Sequence, residues 1–173
     1  VTLLVNAQAT LVNLRSTLGT RLKNAAREND MVIIFFAGHG ATERDSTSPD
    51  GDGLEKYLLP YDTDPADLYT TAMPMGEVGR ILNRIRSERL VFIADSCYSG
   101  ASGGRTILAS GVRANVSGAF WDRLSQGKGR MIITGSDANQ VSAEKDELKH
   151  GVFTYYLLEG LSGKADFDGN GII

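Results

Sequence analysis

The sequence predicts an α/β fold in which helices pack on a mainly parallel β-sheet to form a layered sandwich. Two observations support this prediction. Short apolar runs without polar alternation are typical of strands inside a sheet, and the chain has three of them: MVIIFF (31–36), LVFIA (90–94) and RMIIT (130–134). Segments with helical apolar spacing occur between and around these runs. Strands that alternate with helices favour a parallel sheet.

Two strands and one helix are predicted in residues 1–53. Val1 to Val5 is a short apolar stretch, which we expect to be a strand. A helix follows, with Thr10 as its cap and apolar residues three or four positions apart at Leu11, Leu14, Leu18, Leu22 and Ala25. The strand at 31–36 is continuous enough to suggest that both of its faces are covered. Residues 37–53 are polar and rich in glycine, and are expected to form a loop.

The second part adds three strands and two helices. Lys56 to Leu59 is a brief strand before Pro60, and the strands at 90–94 and 130–134 follow later. A helix entered through Pro74 has its apolar residues at Met75, Val78, Ile81, Leu82 and Ile85. The last helix is expected from Val152 to Leu161 and ends near Gly163.

Length and composition indicate a single soluble domain over residues 1–173. The chain is 42% hydrophobic, which allows one sizeable core. Its 18 basic and 21 acidic side chains are mixed along the sequence, so no nucleic-acid partner is expected. Neither a membrane-spanning apolar run nor a signal peptide is visible. A single cysteine cannot form an internal disulfide, which fits a reducing, cytoplasmic compartment.

That cysteine and one of the two histidines directly follow predicted strands. His39 comes after the run at 31–36, and Cys97 comes after the run at 90–94. Because function gathers at the carboxyl ends of strands in such sheets, we expect both side chains at one rim. A thiol needs a nearby base to form thiolate, and His39 can supply it. The N–H groups of Gly40 and Cys97 are candidates for an oxyanion hole.

Each of these residues also has a plainer interpretation. A lone cysteine after a buried strand is usually an inert small apolar residue, and a lone loop histidine can cap a turn. The joint placement of His39 and Cys97 favours the catalytic interpretation. His150, in the polar segment before the last helix, is expected to be solvated or to have a capping role.

At these positions the sequence resembles the caspase-like cysteine peptidases (peptidase C14), specifically the metacaspase and orthocaspase branch. The similar segments are FAGHG (36–40), DGLEKYLLPYD (52–62), DSCYSG (95–100), TGSDANQVSAE (134–144) and GVFTYYLLEGL (151–161). The resemblance covers nearly the whole chain. It implies a caspase-like three-layer sandwich with a His39–Cys97 dyad, in which an extended peptide substrate lies along a strand edge.

The resemblance also implies a preference for basic residues before the cut. This branch has an acid two positions before the cysteine, which here is Asp95, and a carboxylate at the base of the pocket selects Arg or Lys by charge-assisted pairing. Ser142 is a weaker pocket candidate, and Glu144 a weaker one again. The alternative for Asp95 is a strand-end carboxylate that binds backbone amides.

The chain departs from the family pattern at its beginning. The first strand and helix of the family domain are absent, so a missing segment or a partner chain is expected to complete the fold and the pocket. Residues 99–129 are interpreted as a mobile inter-subunit loop. Cleavage there, at Arg105, Arg113, Arg123 or Lys128, would make the protein an autoprocessed zymogen.

The chemistry of the dyad requires no cofactor, but the resemblance makes calcium a candidate activator. Asp50 and Asp52 are weak candidates for a site near the dyad. Asp166, Asp168 and Asn170 match the first half of an EF-hand-like loop at 166–173, without its twelfth position. An ordinary polar turn is the alternative for that segment.

Three functions are compared. The first is a cysteine endopeptidase that cleaves after Arg or Lys. The second is an inactive or partner-dependent module of the same fold that acts by binding or assembly. The third, a nucleotide-binding domain, is disfavoured because neither GxGxxG nor GxxxxGK[ST] follows a strand.

Overall fold

A computed structural model describes residues 1–48, 51–96, 129–134 and 151–173. Its strands are β1 (Met31–Ala37), β2 (His39–Arg44), β3 (Leu54–Leu59), β4 (Met73–Pro74), β5 (Arg89–Asp95) and β6 (Arg130–Thr134). Its α-helices are α1 (Leu11–Ser16), α2 (Lys23–Ala25), α3 (Leu68–Thr71), α4 (Met75–Arg84) and α5 (Val152–Glu159). The predicted connection at 99–129 lies outside the described residues except for Gly129.

The chain begins without the predicted strand. Val1 to Val5 pair with no strand among the described residues, and a 3-10 turn (Asn6–Gln8) follows. The prediction of a strand there was wrong, because apolar residues alone do not make a strand when no neighbour accepts its backbone hydrogen bonds. The predicted helix is confirmed. It runs through α1, a π-helical segment (Thr17–Leu22) and α2, and the side chain of Thr10 caps it by accepting from the N–H of Asn13.

The strands β1, β5 and β6 form the parallel sheet that the sequence predicts, and among the described strands β5, not β1, lies in the middle. One face of this sheet carries the main core. Buried side chains of β1 and β5 pack there with those of α1 and α4, including Val32, Ile34, Leu90, Phe92, Leu11, Val78 and Leu82. Because the apolar positions of α4 recur at helical spacing, one side of the helix is buried in this core.

The side chains on the other face of β1 are exposed, and in the described part of the chain no core cluster covers them. Met31, Ile33 and Phe35 are 63%, 61% and 47% exposed, and they alternate with the buried Val32 and Ile34. The expectation that β1 is covered on both faces was therefore wrong. Successive side chains of a strand point to opposite faces, and α1 and α4 pack on only one of them.

A second sheet is antiparallel and consists of β2, β3 and β4. Its β3 strand was predicted, but residues 39–44 were expected to be loop, which was wrong. The backbone of this polar segment pairs with β3 along its whole length, and Ala41 is buried against Tyr57. Tertiary pairing therefore overrides the weak strand propensity of the sequence HGATER.

The last helix is confirmed near its predicted bounds. After α5 a π-helical segment (Gly160–Lys164) continues to the predicted end, where Gly163 adopts a φ of 115°. In the described part of the chain, no helix is long and apolar enough to cross a membrane.

Candidate active site

A single residue, Gly38, connects β1 to β2. The strand β1 ends at Ala37 and β2 begins at His39, so the chain passes from the parallel sheet into the antiparallel sheet at this point. The N–H of Gly38 donates to the carbonyl oxygen of Asp95 over 3.1 Å. This hydrogen bond attaches the backbone immediately before His39 to the end of β5.

The strands β1 and β5 end at the same level. They are adjacent and parallel, and Ala37 lies opposite Asp95. His39 is two residues beyond Ala37, with its side chain exposed to solvent. The candidate base and the candidate pocket carboxylate therefore lie at the same carboxyl edge of the sheet. Cys97, the candidate nucleophile, and Ser142 lie outside the described residues.

The pairing of β2 with β3 determines where the backbone of the candidate oxyanion-hole residue points. The N–H of Asp45 donates to the carbonyl of Gly53 over 2.9 Å, one rung beyond the end of the ladder. Hydrogen-bonded and non-hydrogen-bonded pairs alternate along antiparallel strands. His39, opposite Leu59, is therefore in a hydrogen-bonded pair, whereas the N–H of Gly40 points away from β3.

The other edge of β3 supports this alternation. Tyr57 uses its backbone groups toward β2, and the residue opposite it on β4 is Pro74, which has no N–H to donate. A proline fits only at a non-hydrogen-bonded position of a ladder. The pairing on both edges of β3 therefore indicates that the N–H of Gly40 points to the side of β2 away from β3, where no described strand pairs with it.

The carboxylate of Asp95 contacts the beginning of α5. Asp95 is half-buried, and the hydroxyl of Thr154 donates a hydrogen bond to its Oδ2. A Cβ atom placed on Gly151 would lie 2.5 Å from Oδ2 and 3.1 Å from Cγ, so the carboxylate occupies the space that a side chain at 151 would need. Among the described residues the partner of the carboxylate is a side chain, which does not favour the alternative that Asp95 binds backbone amides.

Comparison with known proteins identifies the family. A family model described as the caspase domain of peptidase C14 matches residues 3–169. This chain belongs to the caspase-domain family.

The solved structure of another protein, GSU0716 from Geobacter sulfurreducens, is similar to that of this caspase domain. The two share a TM-score of 0.67 and 18% sequence identity, and the match covers 93% of this chain. At this identity the likeness shows the fold alone. The chain spans 65% of the length of that protein. A search of curated proteins finds none that matches.

The segment after β2 is held by a buried ion pair in this caspase domain. The ammonium group of Lys56, which is only 1% exposed, lies 2.5 Å from Oδ2 of Asp52 and 3.1 Å from the carbonyl oxygen of Leu54. Burial raises the pKa of Asp52, but its bonds to Lys56, Leu54 and Ser48 outweigh burial and hold that pKa below its usual range. Both carboxylate oxygens of Asp52 thus have partners within the protein, while Asp50 lies outside the described residues.

Two further hydrogen bonds involve β3 and the residues that follow it. Asp62 Oδ1 accepts from the N–H of Leu11 over 2.9 Å, which attaches the PYD sequence to the start of α1. The hydroxyl of Tyr57 donates to Glu43 over 3.3 Å. Burial, together with Glu43 and Glu55, raises the pKa of Tyr57, so its phenol stays protonated and is not a base at neutral pH.

The weak calcium candidates at the C-terminus lie together in one exposed turn. The two oxygens of Asp166 accept from the N–H groups of Asn170 and Gly171 over 3.0 and 2.8 Å. The bond from Gly171 is the largest cause that lowers the pKa of Asp166. The N–H and amide of Asn170 also donate to Asp168. No cluster of three His, Cys, Asp or Glu able to hold a metal occurs among the described residues.

Sequence reasoning missed the two residues that contact Asp95, namely Gly151 and Thr154. One signal was available. Gly151 is the residue before a predicted helix, where Ser, Thr, Asp or Asn would normally be favoured, and glycine has no side chain that could cap the helix. Its φ of -55° does not require glycine, so the reason for glycine is space rather than backbone conformation.

Proposed function

We propose that this caspase domain is a cysteine endopeptidase that cleaves after Arg or Lys, with Cys97 as nucleophile and His39 as general base. The observation that carries the proposal is the register of β1 and β5, which end together at Ala37 and Asp95. Both candidate catalytic residues follow this rung by two positions. Family membership supports the same class of activity.

Chain connectivity supports a contact between the two reactive side chains. Covalent geometry keeps the Cα atoms of Asp95 and Cys97 within about 7 Å of each other, since only two residue steps separate them. Adjacent parallel strands lie about 4.8 Å apart. An imidazole on the residue after Gly38 is therefore within reach of a thiol that follows Asp95. The hydrogen bond between Gly38 and Asp95 keeps the chain segments that leave the ends of β1 and β5 close together.

The proposed reaction is acyl transfer in two steps. The imidazole of His39 accepts the proton of the Cys97 thiol, and the thiolate attacks the carbonyl carbon of the scissile peptide bond. The N–H groups of Gly40 and Cys97 donate to the oxyanion. The C–N bond then breaks, and the leaving amine takes the proton from the imidazolium. Water, deprotonated by His39, attacks the thioester and releases the acid and the thiol.

The outward N–H of Gly40 supports its role in this scheme. A hydrogen bond to β3 would occupy that donor, whereas the alternation of the ladder leaves it directed to the open edge of β2. The backbone of His39 is held in a hydrogen-bonded pair with Leu59, so the residue that carries the base has a fixed main chain. A preorganised hydrogen-bond donor is what an oxyanion hole requires.

The carboxylate of Asp95 is proposed to select the basic residue. It lies at the same edge as His39, and a guanidinium or ammonium group of the substrate would pair with it. Asp95→Asn is expected to lower kcat/KM for an Arg substrate by roughly ten- to a hundredfold, because a hydrogen bond to a charged group contributes about 1.5–3 kcal/mol. Ser142 is retained as a second candidate for this pocket.

The test is release of a fluorophore from matched peptides that end in Arg or in Asp, with and without calcium. We expect Cys97→Ala to remove release completely, and His39→Ala to lower it by about 10²–10⁴-fold. Added imidazole should partly restore His39→Ala. Arg44→Ala, at the exposed far end of β2, is the matched control and should behave as wild type. Release after Asp rather than Arg would overturn the proposed specificity.

Calcium activation and self-cleavage are parts of the same proposal. Calcium is proposed as an activator only, since the dyad needs no metal for its chemistry. Self-cleavage is proposed at the basic residues of the 99–129 segment, because their type fits the proposed specificity. Intact mass after incubation tests this step, and an uncut wild type that behaves like Cys97→Ala would contradict it.

A partner-dependent binding or assembly module is the second candidate. The observation that favours it is the open apolar face of β1, where Met31, Ile33 and Phe35 are exposed. A partner chain or a further segment that covers this face would complete the fold before any activity appears. Absence of release from every peptide, with a folded protein, would favour this candidate over the isolated peptidase.

A further inference from the structure

A specificity pocket needs more than a carboxylate, because a side chain that rotates freely cannot meet its ligand in a fixed geometry. Asp95 is the last residue of β5, where the described part of the strand ends. Two residues at the beginning of α5 restrict its carboxylate: the hydroxyl of Thr154 donates to Oδ2, and Gly151 leaves room for the whole carboxylate group. These residues are far from Asp95 in sequence, so the docking of α5 creates the arrangement.

The two oxygens of Asp95 have different surroundings. Oδ2 accepts from Thr154, whereas no described residue donates to Oδ1. Among the described residues, the protein thus holds only Oδ2, and Oδ1 is the oxygen that we assign to a ligand. A cationic side chain that binds Oδ1 would meet a carboxylate whose orientation is already fixed, which lowers the entropy lost on binding.

Gly151 contributes space to the same arrangement. The closest approach of a Cβ at this position would be to Oδ2, the same oxygen that Thr154 holds. An alanine would therefore push the carboxylate out of its present place, or push α5 away from the sheet. The distance is shorter than real Cβ contacts allow, so one of the two must move.

We propose that Thr154 and Gly151 are the positioning residues of the specificity pocket, which hold the Asp95 carboxylate so that Oδ1 receives the guanidinium or ammonium group of the substrate. This inference rests on the proposed function and extends it to the last helix. Neither residue takes part in the acyl-transfer chemistry. Their effect is expected in the binding of the basic side chain, and therefore in KM more than in kcat.

The test compares two peptides that differ only in charge, one ending in Arg and the other in citrulline, its neutral isostere. Binding is measured by calorimetry in a Cys97→Ala background, so that the result does not depend on turnover. We expect Thr154→Val to lower the preference for Arg over citrulline by roughly tenfold, since it removes a hydrogen bond to a charged group. Thr154→Ser keeps the hydroxyl and should restore the preference. Gly151→Ala should reduce it as Thr154→Val does.

Two controls separate positioning from a general structural effect. Tyr156→Phe removes a hydroxyl from an exposed side chain of the same helix and should leave the preference unchanged. In a double variant with Asp95→Asn, Thr154→Val should cause no further loss, because the group that it orients is then neutral. Thermal unfolding of each variant reports how much the fold itself has changed.

The outcomes distinguish this proposal from the one on which it rests. If Asp95→Asn abolishes the preference for Arg but Thr154→Val does not, the positioning role is wrong and the pocket assignment stands. If Thr154→Val and Tyr156→Phe change the preference equally, the positioning role is also wrong. If wild type binds both peptides equally, the assignment of Asp95 as the pocket residue fails, and the positioning role fails with it.

Discussion

A substitution at Gly129, where β6 begins beside β5, can separate two costs of adding a side chain: steric overlap and an unfavourable backbone conformation. Gly129 has a φ of +66° and directly precedes β6. A Cβ atom at this position would overlap the carbonyl oxygen of Glu88 and lie 2.7 Å from its carbonyl carbon. Both are backbone atoms, so no side-chain rotation relieves the overlap.

Gly129→Ala is therefore expected to cost about 2–3.5 kcal/mol. The left-handed conformation alone costs an L-residue about 1–2 kcal/mol. Relief of the overlap requires Gly129 to move from Glu88, which lengthens or breaks the bond from the N–H of Leu90 to the Gly129 carbonyl, now 2.9 Å. Loss of that bond contributes about 1–1.5 kcal/mol.

Gly169→Ala is the matched control. Gly169 has a φ of +71°, close to that of Gly129, but its hypothetical Cβ meets no atom within 4 Å. Only the conformational cost of about 1–2 kcal/mol is expected there. Urea denaturation with a fixed m value measures both losses. Equal losses for Gly129→Ala and Gly169→Ala would refute the argument from backbone overlap.

Two further predictions concern the segment that precedes the parallel strand β5. Asp52→Asn should lower the free energy of unfolding by about 2 kcal/mol at pH 7, because the ammonium of Lys56 loses a charged acceptor. The pKa of Asp52 in the folded protein is below its usual range, so this contribution is present above about pH 4 and is lost as pH falls further. A difference in unfolding free energy between wild type and Asp52→Asn that stayed constant down to pH 2 would contradict this sign. Asp62→Ala removes the acceptor for the N–H of Leu11 and should cost about 1 kcal/mol, as for other helix caps; an unchanged urea midpoint would show that water replaces the carboxylate at no cost.

The elements that the sequence predicted best are those whose pattern is set by burial. The strands β1, β5 and β6 and the helix α4 have continuous or periodic apolar residues, and their bounds lie close to the predicted ones. The strand β2 was missed because its sequence, HGATER, has no such pattern and is held by pairing with β3. Val1 to Val5 was wrongly predicted for the opposite reason, since its apolar residues have no pairing partner among the described strands.

The candidate site was predictable in outline and not in detail. The rule that parallel strands end at a common edge predicted that His39 and Cys97 share one rim. The register of β1 and β5 places Ala37 opposite Asp95, two residues before each of them, and Cys97 itself lies outside the described residues. The contact of Asp95 with Thr154 spans 59 positions of sequence. It depends on how α5 docks against the sheet, which local sequence patterns do not encode.

The most direct test of the central proposal is covalent labelling of Cys97 by a short peptide with a C-terminal arginyl chloromethyl ketone, followed by intact mass. We expect one label on wild type, none on Cys97→Ala, and much slower labelling of His39→Ala. An aspartyl ketone of the same length should label wild type far more slowly than the arginyl one. Labelling that proceeds equally fast in wild type and in His39→Ala would contradict the dyad.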